Sequence, residues 1–201
     1  MAIPPIGATA CWSELDAAGK RATLLRAAGE VFARQGLDAP MPAVAAAAGA
    51  GVGSVYRQFP SKRELLAALV IERLQEVRHD ADAALANPAG PWAALTALLR
   101  TYAERQASDD VLAEAMACLS ADPEVERARA LTGAALELLL DAAKAEGRLR
   151  ADATTADLRL LFGAVRAAEQ VEPGGWRRMF ELGIDALAAE GAGAPTAQPS
   201  G

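Results

Sequence analysis

An all-α fold is what this chain of 201 residues predicts. Alanine, leucine, arginine and glutamate dominate and β-branched residues are few, a composition that favours helix over strand. Apolar residues recur three and four apart through most of the chain, the spacing of a helix face and not the alternation of a strand. Glycines and prolines fall between these runs, where helices stop and start.

Residues 1–17 carry Pro4, Pro5 and Gly7 in a mixed composition and are expected to be disordered. From Ala18 to Gln35, Leu24, Leu25, Ala28, Val31 and Phe32 share one helix face. Gly36 suits the C′ position and Leu37 supplies the accompanying apolar contact. A short helix follows from Pro42 to Ala48, since proline is tolerated in a first turn whose N–H groups are unpaired anyway. Gly49 ends it, and Gly51–Phe59 forms a second short helix. Helix, tight glycine-containing turn, helix is the layout of a helix-turn-helix. Ser61-Lys62-Arg63-Glu64 is a capping box, Ser61 accepting from the backbone N–H of Glu64 and Glu64 from that of Ser61. The long helix it opens carries Leu65, Leu66, Leu69, Val70, Leu74 and Val77 and stops before the NPAGP break at 87–91.

Five more helices follow. Pro91–Ala107 carries Trp92, Leu95, Leu98, Leu99 and Tyr102; Asp110–Ser120 carries Val111, Leu112, Met116 and Leu119. Asp122-Pro123 reads as an N-cap with proline at N1, opening a helix that Gly147 stops. Thr154 or Thr155 caps a helix to Val171, and Gly174–Glu190 forms the last. The tail over 191–201 is low in complexity and expected to be disordered. The domains expected are therefore 18–63, with a linking helix over 61–86, and 87–190.

The net charge is −6, but it is unevenly spread. Lys20 to Arg78 holds nine basic and five acidic residues, against eleven and twenty-one elsewhere. This suggests a mildly basic module on an acidic body. No strongly apolar run is long enough to span a membrane, and the N-terminus lacks the features of a secretory signal. Cys11 and Cys118 stand in dissimilar contexts, against a disulfide framework or zinc site, so a cytoplasmic setting is expected. His79 is the single histidine, and no nucleophile–base pair, phosphate loop or metal-spaced cluster is visible. Neither catalysis nor a cofactor or metal is expected.

The stretch GAGVGSVYRQFPSK, residues 49–62, places three glycines directly before a Tyr-Arg pair. A recognition helix brings its N-terminal residues to base edges while flanking groups hold phosphates, so Gly49, Gly51 and Gly53 read as positions of close approach. Ser54 and Tyr56 offer hydroxyls, and Arg57 and Lys62 add charge. Tyr56 also reads as an aromatic packed inside the domain with only its hydroxyl wet.

The segments LLRAAGEVFARQG (24–36) and AGAGVGSVYRQFPSKRELL (48–66) resemble the DNA-binding domain of the tetracycline-repressor (TetR) family of transcriptional regulators. That resemblance implies phosphate-binding positions at Tyr56 and Lys62, a backbone or base contact for Ser54, a place near base edges for Gly51, Val52 and Val55, and a core role for Phe59 and Leu65. It implies a homodimeric repressor that a small-molecule ligand releases from a pseudo-palindromic DNA operator. The order of the later helices is similar to the family's ligand-binding and dimerisation half, and DATTADLRLL (152–161) with GGWRRM (174–179) resembles an actinobacterial-style subgroup. By analogy Leu161, Phe162, Val165, Trp176, Met179, Phe180 and Gly183 are interface candidates, although the same stripe also reads as the monomer's own core. Trp92, Leu95, Leu99, Tyr102, Met116, Leu119, Leu139 and Phe162 are pocket candidates. Ala43, Ala45, Ala46 and Ala47 stand where the family often has polar residues, which leaves open a ligand or partner scaffold with weak or no DNA binding.

Overall fold

The computed structural model describes residues 12–107 and 110–189, the side chains of 107, 110 and 112 excepted. Among them are a 3-10 turn at Trp12–Glu14 and nine α-helices: α1 Ala17–Gln35, α2 Met41–Ala47, α3 Val52–Gln58, α4 Lys62–Ala84, α5 Pro91–Ala107, α6 Asp110–Cys118, α7 Pro123–Ala145, α8 Thr155–Val171 and α9 Gly175–Leu187. The only extended pairing among the described residues is an antiparallel bridge between Leu149 and Ala188. No described helix is long and apolar enough to cross a membrane. Residues 1–11 and 190–201 lie outside the described part, and with them most of the two segments expected to be disordered. From Trp12 onward that expectation fails, because Trp12 packs on the core of the first three helices and Asp16 caps α1 by accepting from the Gly19 N–H at 2.7 Å.

Local signals set most helix ends. Gly36 has φ 77°, and its N–H donates to the Phe32 carbonyl at 2.8 Å. Asp122 caps α7, its Oδ1 accepting from the N–H groups of Glu124 and Val125. Thr154 caps α8, donating from both its backbone N–H and its hydroxyl to Asp157 Oδ2 at 2.8 Å, and these bonds hold the Asp157 carboxyl below its usual range. The Ser61 box closes differently from expectation. Ser61 Oγ accepts from the Glu64 N–H at 3.2 Å, but the return contact to Glu64 Oε1 comes from the Ser61 hydroxyl at 3.0 Å.

Three apolar clusters hold the helices together. The head is built on Leu24, Phe32, Val44, Val55, Phe59 and Leu65. The joint gathers Val70, Leu74, Leu119 and Val125. The body buries Leu95, Leu99, Leu139, Leu140, Val165, Trp176 and Phe180. Each such side chain contributes about 1.5–3 kcal/mol when fully buried. Helix α4 reaches all three, with Leu65 and Leu69 in the head, Val70 and Leu74 in the joint and Ala81 in the body. It packs most extensively along α7. Thr132 of α7, the one buried polar side chain among the described residues, places its hydroxyl 2.9 Å from the carbonyls of Leu74 and Ala128. Arg63 meets Asp122 at 3.3 Å, tying together the starts of α4 and α7.

Candidate nucleic-acid interface

The turn between α2 and α3 explains one glycine by conformation and two by none. Gly49 has φ 63°, a left-handed backbone that a side chain resists. Gly51 has φ −72° and ψ 140°, open to any residue, and Gly53 lies inside α3. Beyond its chain neighbours and its own helix backbone, a Cβ added at Gly51 or Gly53 would meet no atom within 4 Å. Glycine at 53 costs a helix about 1 kcal/mol relative to alanine, and no internal packing offsets it.

Beside these glycines, Val52 and Tyr56 are 41% and 46% exposed, one turn apart on α3. The Tyr56 hydroxyl has no hydrogen-bond partner among the described residues, and at 46% exposure the side chain is not packed inside the domain. Arg57 Nη2 donates to Ser54 Oγ at 2.8 Å, which fixes the guanidinium against its own helix. Lys62 lies 5.9 Å from the centroid of the Phe32 ring and Arg21 4.7 Å from that of Phe59. In both the charged end itself lies over the aromatic ring, a cation–π contact. Phe59 and Leu65 are core, as the resemblance implied. Val55 is a correction. It is 0% exposed and packs in the head with Phe59, one helical turn on, while Val52 beside it lies at the exposed margin of the helix. It positions α3 and does not face a base.

Residues 24–69 match the family described as bacterial regulatory proteins, tetR family, and residues 90–189 match the SbtR-like transcriptional regulator C-terminal domain. A TetR transcription regulatory protein from Mycobacterium vanbaalenii is 32% identical, with a TM-score of 0.63 over 84% of this chain and 95% of that one. The chain belongs to the TetR family of transcriptional regulators. The TetR regulator SCO0520 from Streptomyces coelicolor is 28% identical, with a TM-score of 0.67 over 85% of this chain and 99% of that one. A structure described as the molecular basis for control of antibiotic production by bacterial hormones is also 28% identical, with a TM-score of 0.63 over 85% and 98%. No curated protein matches. As a TetR-family member the protein is a DNA-binding transcriptional regulator and not an enzyme.

The TetR body divides the expected pocket residues. Leu95, Leu99 and Leu139 are fully packed, with Trp92, Tyr102 and Phe162 at the edge of the same cluster. Met116 and Leu119 belong instead to the joint against α4, so the eight do not line a single cavity. Tyr102 donates its hydroxyl to Asp80 Oδ2 at 2.7 Å, linking α5 to α4. Burial, and then this bond to a carboxylate, raise the Tyr102 phenol well above its usual range.

The expected interface stripe is largely the monomer's core. Leu161, Val165, Trp176 and Phe180 are buried within one chain, with Phe162 and Met179 packed against them. Gly183 serves the α8–α9 contact of that same chain, since a Cβ there would collide with the Leu161 side chain. Sequence reasoning missed the opposite side of α8. Ala156, Leu160, Gly163, Ala167 and Val171 follow one another at helical spacing, all exposed, with Leu160 at 72% and Val171 at 87%. Two apolar stripes on one helix were the signal, and only one of them can face the chain's own core.

Proposed function

We propose that the protein is a cytoplasmic, homodimeric repressor that a small-molecule ligand releases from a pseudo-palindromic operator. Residues 18–63 read DNA, the helix over 61–86 links, and 87–190 bind ligand and pair with a second copy. The observation that carries this reading is the outer face of α3, where Val52 and the unpartnered Tyr56 flank a glycine with nothing of the protein near it. Tyr56 and Lys62 hold phosphates, Ser54 and Arg57 support them, and Gly51 and Val52 approach the bases. The exposed stripe of α8, with Leu182 of α9, is the dimer face, because an apolar patch of this kind is best covered by its own copy. Ligand release is supported by the relative whose structure concerns control by a bacterial hormone. The ligand enters beside Trp92, Tyr102 and Phe162, and shifts the recognition helices only by its differential affinity for two conformers.

Selection of duplexes from a random pool tests the reading. Enrichment of a pseudo-palindrome, with binding weakened in Tyr56→Phe and Lys62→Ala for every sequence, is the expected result. A scaffold with little DNA affinity is the competing reading, favoured by α2, whose exposed side chains are only Pro42, Ala46 and Ala47. That reading wins if no sequence is enriched by a protein shown to be folded and dimeric.

A further inference from the structure

A notch of about 290 Å³ opens between the start of α1 and one edge of α3, lined by Trp12, Ala17, Lys20, Ser54, Arg57 and Gln58. Its charge is positive. Neither Lys20 nor Arg57 meets a carboxylate within 4.0 Å among the described residues, although ion pairs are common elsewhere, as at Arg26–Glu30, Arg63–Asp122 and Arg150–Asp152. The Ser54 hydroxyl orients Arg57 at 2.8 Å, and the Gln58 amide adds a further donor. The nearest acid along the chain, Asp16, has Oδ1 engaged on the Gly19 N–H. Trp12, packed on the head core, provides a fixed wall. Two cations, Arg57 held by Ser54 and Lys20 beside it, with a hydroxyl and an amide suit an oxyanion with several acceptor atoms, as a phosphate is.

The notch also has a definite place on the recognition helix. At 3.6 residues per turn, Val52 and Tyr56 form one edge of the exposed arc of α3, Gly53 its middle, and Arg57, Ser54 and Gln58 the other edge. A helix about 10–12 Å across nearly fills a major groove about 12 Å wide, so its two edges face the backbones of opposite strands. We propose that the notch seats a DNA backbone phosphate on the strand opposite the one gripped by Tyr56, with Lys20 and Arg57 as its cations and Lys20 as an unassigned DNA contact. This rests on the DNA-facing orientation of α3 described above.

The test compares wild type, Lys20→Gln and Lys20→Arg on the enriched duplex and on a random-sequence duplex, over a salt series. Lys20→Gln should weaken both by a similar factor, roughly three- to tenfold, and leave their ratio unchanged, as expected for a phosphate contact. The slope of log affinity against log salt should become shallower by about 0.9 for each copy bound, and Lys20→Arg should restore it. Ethylation of one phosphate per half-site should impair wild type and not Lys20→Gln, and it should lie on the strand opposite the phosphate sensed by Tyr56→Phe. An unchanged slope and ethylation pattern in a Lys20→Gln protein that unfolds like wild type overturns the proposal. So does saturable binding of inorganic phosphate that depends on Lys20 while DNA binding does not, which would make the notch a site for a soluble anion. If no duplex is enriched, the operator reading fails too; enrichment with an unchanged slope removes the notch alone.

Discussion

The head and the body turn different surfaces outward. On α3 the exposed arc holds Val52, Gly53, Tyr56 and Arg57, mainly polar groups and bare backbone beside the basic Lys20. On α8 the outward stripe of Ala156, Leu160, Gly163, Ala167 and Val171 is apolar, flanked by the exposed Arg159 and Gln170. Each helix has its other side sealed in a core, through Val55 in the head and through Leu158, Leu161 and Val165 in the body. Hydrogen-bond donors left to water suit a hydrated, charged partner such as duplex DNA, whereas an apolar face left to water suits a partner of its own kind. A dimeric DNA-binding protein needs one of each.

The body separates core from interface most sharply at two positions. Phe180 is fully buried in one chain, and Phe180→Ala should cost about 3–5 kcal/mol of folding free energy, read in urea unfolding. Leu160→Arg should leave the monomer's fold intact and raise the dimer dissociation constant by an amount worth about 2 kcal/mol or more, visible in sedimentation. DNA affinity should fall with it, because the two half-sites are no longer bound together. Were Leu160→Arg to sediment like wild type, the outward stripe would not be the interface.

In the head the informative pair is Val55 and Val52, three residues apart on α3, one buried and the other exposed. Val55→Ala should destabilise by about 1.5–2 kcal/mol, the loss of most of a buried side chain. Val52→Ala should stay within about 0.5 kcal/mol of wild type yet relax sequence preference in a selection experiment. Equal stability effects at the two positions would put Val55 back on the surface.

These pairs also mark how far the fold and the site could be read from the residues alone. Helix ends were legible because caps are local: Gly36, Asp122-Pro123 and Thr154 act on neighbours two to four residues away. The motif around Tyr56 implied a surface position, and the side chain is exposed. Val55 was misplaced because membership of the motif was taken over its helical phase, which groups it with Phe59. The stripe assigned to the interface proved largely buried in the monomer for a different reason. α8 carries apolar residues on two sides, and periodicity finds stripes without saying which of them the chain covers itself. The large residues Leu161, Phe162 and Val165 drew the assignment, whereas the outward side is built mainly from alanine and glycine around Leu160 and Val171. Lys20 and Trp12 went unnoticed at the site because their nearness to α3 is tertiary.

The smallest expected effect lies where the two regions meet. Glu72 sits half-buried on α4, and its carboxyl is raised above its ordinary value, first by burial and then by Glu76 one turn on, against the pull of Arg73 and of Arg21 from α1. A carboxyl raised in the folded state binds its proton more tightly there than when unfolded. Stability therefore falls as pH rises from the unfolded value, about 4.5, through the raised one, and the cost of the buried charge stays in place above that window. Glu72→Gln removes the cost. The variant should be more stable than wild type near neutral pH, by at most about 0.5 kcal/mol for a group still partly open to water, and this advantage should shrink as pH is lowered through the window and vanish below about 4.5. Urea midpoints of both proteins across that range provide the check. A variant less stable at neutral pH would mean that the Arg21 attraction outweighs burial, so that Glu72 ties the head to its linking helix instead of straining against it.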